Sequence, residues 1–157
     1  MIIRHKAGKL LGIAIKKSTR APMILKKSAI VTIEKGVNGD HRGNQGDRQV
    51  TVISRESWEK ACQDLKKSLP WISRRANLLI EGIVIKKSTG KFLQIGELVM
   101  LITGETKPCY RMDESYPGLQ EVLKTEWRGG VTCRVIKSGN IKIDDAVSMH
   151  EMFEQGW

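Results

Sequence analysis

Short apolar runs, separated by glycine-containing turns, make up most of this chain. Within many of these runs hydrophobic and polar positions alternate with a period of two residues, which is typical of β-strands. The pattern predicts eight strands, at Leu10 to Lys16, Ala29 to Ile33, Gln49 to Ser54, Asn77 to Glu81, Ile83 to Lys86, Leu98 to Thr103, Val131 to Ile136 and Ile141 to Ile143.

Two segments have helical spacing instead. Ser54 is a favourable N-cap, the apolar residues after it recur at i, i+3, i+4 and i+7, and Pro70 is expected to end the helix. Trp58, Ala61, Cys62, Leu65 and Leu69 form its apolar face. A second helix is predicted from near Pro117 to the Gly129-Gly130 pair, with Leu119, Val122 and Leu123 on its apolar face.

Eight strands with two isolated helices do not form the alternating series that builds a parallel sheet. We therefore expect a mainly β fold, a closed or nearly closed β-barrel with about two peripheral helices. We expect the 157 residues to form one domain of ordinary size, residues 1–157. The segment from Gly12 to Thr19 recurs almost unchanged from Gly82 to Thr89, which predicts two similar strands; the two basic turns are also candidates for a shared basic rim.

The charge balance favours an anionic partner. Lysine and arginine number 27 against 17 acidic residues, a net charge of +10. Aromatic residues are only 5 % of the chain and do not alternate with the lysines, so nucleic acid is not the expected partner. No apolar run approaches the roughly 20 residues that span a bilayer. The N-terminus has no signal-peptide pattern and the cysteines form no C-x-x-C pair, so we expect a cytoplasmic protein with no disulfide or zinc site.

Cys109 is the cysteine whose surroundings suit chemistry. It follows an apolar strand, Pro108 stiffens the backbone before it, and Lys107 and Arg111 flank it. Positive charge favours the thiolate, the form that attacks electrophiles and binds metals. Cys62 on the helix and Cys133 on a strand fall on apolar faces, so we expect both to be packing residues. A buried, unreactive Cys109 remains the alternative from these residues alone.

The glycine-rich stretch from Gly36 to Gly46 contains no nucleotide-binding motif and opens no predicted helix. Long loops of this kind are often functional. We expect it to lie over the barrel mouth, with Asp40 and Arg42 able to pair across it; a simple connector is the alternative.

Six segments, taken together and in order, resemble the MOSC domain family, named after the C-terminal domain of molybdenum cofactor sulfurase. The resemblance runs from about Gly12 to Val147. The segments are Gly36 to Gly43, Gly46 to Ile53, Arg75 to Gly82, Pro108 to Tyr110, Trp127 to Val131 and Gly139 to Asp145.

The resemblance implies a β-barrel that binds a molybdenum cofactor through a cysteine thiolate. The metal-ligating cysteine falls on Cys109, and the residues that hold the cofactor phosphate fall on Arg75 and Asn77. A soft thiolate suits molybdenum, and a guanidinium with a carboxamide suits a phosphate. We expect Arg48, Lys107 and Arg111 to add positive charge at the same cofactor site.

Three functions are compatible with these residues. The first is a cofactor-binding MOSC protein, either a reductase component for N-hydroxylated compounds, which would need an external electron-transfer partner, or a cofactor carrier. The second is a persulfide sulfur carrier that uses Cys109 and a sulfur-donor protein. The third is a basic barrel without enzymatic activity that binds nucleic acid.

Overall fold

A computed structural model describes residues 7–157. Within them it has eleven strands, three short α-helices and one 3-10 turn. The strands are β1 Ala7–Ile15, β2 Ile24–Lys26, β3 Ser28–Thr32, β4 Gly36–Val37, β5 Val50–Ser54, β6 Leu78–Glu81, β7 Phe92–Ile95, β8 Leu98–Glu105, β9 Val131–Lys137, β10 Gly139–Lys142 and β11 Ala146–His150. The helices are α1 Arg55–Leu65, α2 Met112–Ser115 and α3 Leu119–Leu123, and the 3-10 turn is Trp71–Arg74.

Seven strands close into a barrel, in the order β1, β11, β7, β8, β9, β5 and β6, with β6 pairing back onto β1. All neighbours are antiparallel except β5 and β6, which run parallel. The prediction of a closed, mainly β barrel is therefore confirmed. Apolar side chains fill the interior, among them Leu10, Ile13, Val52, Leu78, Met100 and Cys133.

Strand β1 holds the barrel together because it pairs with three others. Ala7–Lys9 pairs with β11, Lys9–Ile13 with β6, and Ile13–Ile15 with β2. The register on β6 shifts between Leu10 and Gly12, and a Cβ on Gly12 would lie 2.6 Å from the Trp71 ring, so only glycine allows this approach. A separate small sheet has the order β10, β3, β4.

The helices pack outside the barrel around a second apolar cluster. The residues of this cluster include Ile53, Trp58, Ala61, Leu79, Met112, Leu119 and Leu123. The predicted N-cap is confirmed, since Ser57 N donates to Ser54 Oγ at 3.1 Å. The helix ends at Leu65 rather than Pro70, because Lys66 adopts a left-handed conformation at its C-cap.

Two predictions of local structure are wrong. The second helix covers only Leu119–Leu123, because Glu126 and Trp127 both have positive φ, 58° and 56°, and the chain turns there. The segment from Ile83 to Lys86 is not a strand. Ile83 and Ile85 are buried while Val84 is 70 % exposed, so the alternation is real, but Gly82 at φ 80° turns the chain away from the sheet.

The second copy of the repeated segment therefore does not match the strand formed by the first. Strands β2, β4, β7 and β11, the 3-10 turn and helix α2 were not predicted. Among residues 7–157 no helix is long and apolar enough to cross a membrane.

Candidate functional site

A cavity of about 1020 Å³ lies where four segments meet. These are the turn after β1, the loop before β5, the end of the 3-10 turn with the residues before β6, and the loop after β8. Two hydrogen bonds fix the glycine-rich loop before β5: His41 N donates to the backbone oxygen of Lys16 at 2.7 Å, and the side-chain Nε2 of Gln49 donates to Gly43 O at 3.1 Å. The glycine-rich loop is thus held at its base and lines the cavity beyond it.

Positive charge dominates the lining. Eight arginine or lysine side chains face three carboxylates, Asp40, Asp47 and Glu114. Glu114 pairs with Arg20 at 3.1 Å, and Asp47 pairs with Arg134 at 3.6 Å. Among the described residues the other seven lining cations have no carboxylate partner; they are Lys16, Arg42, Arg48, Arg74, Arg75, Lys107 and Arg111. The cavity is therefore suited to an anion.

Cys109 is exposed and lines this cavity, as predicted. Its carbonyl accepts from Met112 N at 3.0 Å where α2 begins, and Met112 is buried in the outer apolar cluster. Cys62 is half-buried and Cys133 is 0 % exposed on β9. Burial raises the pKa of the Cys133 thiol, so Cys133 stays protonated. Of the three cysteines only Cys109 is exposed and lines the cavity.

All six residues predicted for the site line the cavity. They are Arg48, Arg75, Asn77, Lys107, Cys109 and Arg111. Arg75 and Asn77 thus lie in the same cavity lining as Cys109, although about thirty residues separate them in sequence. Their roles in binding a ligand stay predictions.

Comparison with protein families identifies this arrangement. The model of the MOSC domain matches residues 35–148, well over half of the chain and a range that contains all six residues. The chain belongs to the MOSC domain family.

Solved structures share the fold. The YuaD protein from Bacillus subtilis is 15 % identical, with a TM-score of 0.81, and the alignment covers 97 % of this chain and 100 % of that one. YiiM from Escherichia coli is 14 % identical with a TM-score of 0.70, covering 94 % of this chain and 72 % of that one. YiiM from Geobacillus stearothermophilus is 13 % identical with a TM-score of 0.71, over 95 % and 76 %. No curated protein matches the chain.

Asn77 in this MOSC domain also supports the barrel, besides lining the cavity. Its Oδ1 accepts from Thr51 N at 3.0 Å and from Thr51 Oγ1 at 3.3 Å, and its Nδ2 donates to Ala14 O at 3.2 Å. The carboxamide thus joins β1, β5 and the start of β6. Only one amide hydrogen is left for a phosphate, so Asn77 is first of all a brace of the cavity wall.

Arg75 is half-buried in a left-handed conformation, φ 64°, and donates to Ala21 O. This contact holds the turn after β1 against the 3-10 turn. Lys16 lies in that neighbourhood, where burial and then the charges of Arg75 and Arg42 lower its pKa, while Asp40 opposes the shift.

The expected Asp40 to Arg42 pair is absent among the described residues. Asp40 Oδ1 instead accepts from Lys16 N at 3.0 Å, because the loop folds back onto the end of β1. The shared basic rim is also wrong. The first repeat copy contributes Lys16 and Thr19 to the lining, but the second contributes nothing, and Lys86 pairs with Glu126 at 2.5 Å.

Sequence analysis missed Arg74. Its side chain is 8 % exposed, lines the cavity and donates from Nε to Gly129 O at 2.9 Å and from Nη2 to Thr106 O at 3.4 Å. Burial lowers the pKa of Arg74 to about 10, and the charge interaction with Cys109 raises it in part. An arginine beside a second arginine carries no sequence signal of burial, since arginine is usually exposed.

Among residues 7–157 no group of three or more His, Cys, Asp and Glu side chains could hold a metal ion.

Proposed function

We propose that this MOSC domain binds a molybdenum cofactor in the cavity, with the Cys109 thiolate as the protein ligand to the metal. One observation carries the proposal: the exposed thiol lies in the lining of a cavity whose cations outnumber its carboxylates eight to three. A thiol and an excess of positive charge are the two features that a metal with an anionic organic tail requires.

The residues present fit such a group. A soft thiolate is a suitable ligand for molybdenum, and guanidinium groups bind phosphate through paired, charge-assisted hydrogen bonds. The cavity volume, about 1020 Å³, is at the upper end of the range for ligand pockets, roughly 300 to 1,000 Å³.

Different residues of the cavity would bind the anionic tail and stabilise the thiolate. Arg48, Arg75 and Lys16 lie in the lining, where they would hold the anionic tail. Lys107 and Arg111, on both sides of Cys109, would favour its thiolate. The bound cofactor would supply a metal centre for oxygen and electron exchange. Either a reductase component for N-hydroxylated compounds, served by an electron-transfer protein, or a cofactor carrier would use this same site.

Elemental analysis tests the proposal most directly. The parent, Cys109→Ser and Cys62→Ser should be made in a host that synthesises molybdenum cofactor, and each preparation assayed for molybdenum and for released pterin. We expect the parent and Cys62→Ser to retain molybdenum and Cys109→Ser to lose it, since a serine hydroxyl stays protonated and is a hard ligand. Equal molybdenum in Cys109→Ser and the parent would refute thiolate ligation.

The exposure of Cys109 also supports a second candidate, a sulfur carrier. The Cys109 thiolate would attack the terminal sulfur of a donor's cysteine persulfide, taking that sulfur as a persulfide and releasing the donor's thiolate. Mass spectrometry after incubation with such a donor would show one added sulfur atom on Cys109, in protein free of molybdenum. A basic barrel that binds nucleic acid would instead show salt-dependent DNA or RNA binding that Cys109→Ser leaves unchanged.

A further inference from the structure

A buried guanidinium contacts both ends of the loop that carries Cys109. Arg74 Nη2 donates to Thr106 O at 3.4 Å, and Nη1 contacts Met112 Sδ at 3.5 Å. Met112 N in turn donates to Cys109 O at 3.0 Å. The side chain of Arg74 is thus connected to the loop both before and after Cys109.

The other side of Arg74 is anchored to the chain before β9. Its Nε donates to Gly129 O at 2.9 Å, and a Cβ on Gly129 would lie 2.4 Å from Thr106 O. A side chain at position 129 would therefore push the Cys109 loop away from the guanidinium. Arg74, Gly129 and Thr106 form a close-packed support for the loop.

The charge of Arg74 is not neutralised locally. Its pKa of about 10 keeps it protonated at neutral pH, and none of the carboxylates in residues 7–157 forms an ion pair with it. Its hydrogen-bond acceptors are carbonyl oxygens and a thioether. A cation shielded from water acts more strongly on its surroundings than an exposed one, and this one borders the same cavity as Cys109.

We infer that Arg74 is a positioning residue, which holds the Cys109 loop from inside and makes the Cys109 thiol selective for anionic partners. The inference rests on the proposed function only for the identity of the natural anion. Exposed cations such as Lys107 add to the field, but water and salt screen them more effectively. Arg74 therefore both supports the Cys109 loop and supplies positive charge to the cavity.

Two alkylating reagents separate the effects of shape and charge without any cofactor. Iodoacetamide is neutral and iodoacetate is an anion of similar size, so the ratio of their rates at Cys109 reports the local charge. A change in loop position alters the rate with iodoacetamide and largely cancels in the ratio. The measurement uses the Cys62→Ser background, which removes the half-buried thiol. Because Cys133 is fully buried, Cys109 is then the accessible cysteine, and peptide mass spectrometry assigns the label.

Arg74→Met should lower the ratio of iodoacetate to iodoacetamide rates on the order of fivefold, the effect of one partly screened charge. Arg74→Lys keeps the charge without the planar fork, so it should keep the ratio within about twofold and change the iodoacetamide rate. Arg128→Met is the matched control, since Arg128 is largely shielded, pairs with Asp64 at 2.6 Å and does not line the cavity.

An unchanged ratio in Arg74→Met, or an equal fall in Arg128→Met, would overturn the inference. If Arg74→Met does not fold, Arg74→Lys decides: a fall in its ratio as large as fivefold would show that charge at this position is not what sets the selectivity. Neither result depends on molybdenum retention, so the inference and the proposed function can fail separately.

Discussion

Asn77 and Thr51 hydrogen-bond to each other through both backbone and side-chain atoms. Thr51 N and Oγ1 donate to Asn77 Oδ1 at 3.0 and 3.3 Å, and Asn77 N donates back to Thr51 Oγ1 at 3.1 Å. Both residues line the cavity, and they join the two parallel strands of the barrel. The wall of the site and the stability of the barrel therefore depend on the same pair.

Asn77→Ala should lower the free energy of unfolding by about 2 to 3 kcal/mol, because it leaves the Thr51 N–H and the Ala14 carbonyl without partners in a buried setting. Urea denaturation measures the change. Asn44→Ala, at an exposed position of the same lining, is the control and should stay within roughly 0.5 kcal/mol of the parent. An unaffected stability in Asn77→Ala together with lost cofactor would show that Asn77 acts on the cofactor and not on the barrel.

Arg75→Ala should weaken cofactor retention while the protein still folds. The loss of one charge-assisted contact costs on the order of 2 kcal/mol, about thirtyfold in affinity. Molybdenum content after dialysis measures retention, and circular dichroism should match the parent. Arg55→Ala is the control with the same change in net charge, since Arg55 pairs with Glu81 at 2.8 Å outside the cavity. Equal losses in both variants would mean that only overall charge matters.

Thiol labelling should separate the three cysteines by accessibility. Cys109 is exposed, Cys62 is half-buried with its Sγ 3.9 Å from Leu69 O, and Cys133 is 0 % exposed. A neutral maleimide should therefore modify Cys109 first, Cys62 more slowly and Cys133 only after unfolding. Peptide mapping over time gives the order. Modification of Cys133 before Cys109 in native protein would contradict the structure.

The strands that could be predicted are those with a clear apolar run in their own sequence. Strands β5, β8 and β9 are apolar runs of five to eight residues that are bounded by turns, and they were found. Strand β7 has four residues, and β11 contains the polar Ser148 and His150, so neither stands out from a loop. The prediction of a strand at Ile83 to Lys86 failed for the opposite reason. Its residues alternate between buried and exposed positions, but the segment forms no strand.

The site was predictable as a set of positions but not in its internal contacts. The family resemblance places Cys109 and Arg75 in one cavity, which spacing alone does not. The role of Asn77 depends on Ala14, 63 residues away, and the burial of Arg74 depends on Gly129, 55 residues away. Such contacts exist only after the barrel closes, so no local pattern reveals them.

Anion binding should weaken as pH rises through the lowered pKa of Lys16. Burial is the largest cause of the lowering, followed by the charges of Arg75 and Arg42. The free protein thus begins to lose this proton at a lower pH than an ordinary lysine would, whereas a bound anion favours the protonated ammonium. Binding therefore takes up a proton, and affinity falls with rising pH.

Calorimetric titration with inorganic phosphate between about pH 8 and pH 10, where this probe stays dianionic, measures the effect. Lys16→Met should bind on the order of fivefold more weakly at pH 8 and should lose most of the pH dependence, since the titrating group is gone. Lys17→Met is the matched control, because Lys17 is the exposed neighbour outside the lining and should preserve the slope. If Lys16→Met retains the parent's slope while Lys17→Met loses it, the pH response arises from surface charge and not from the cavity.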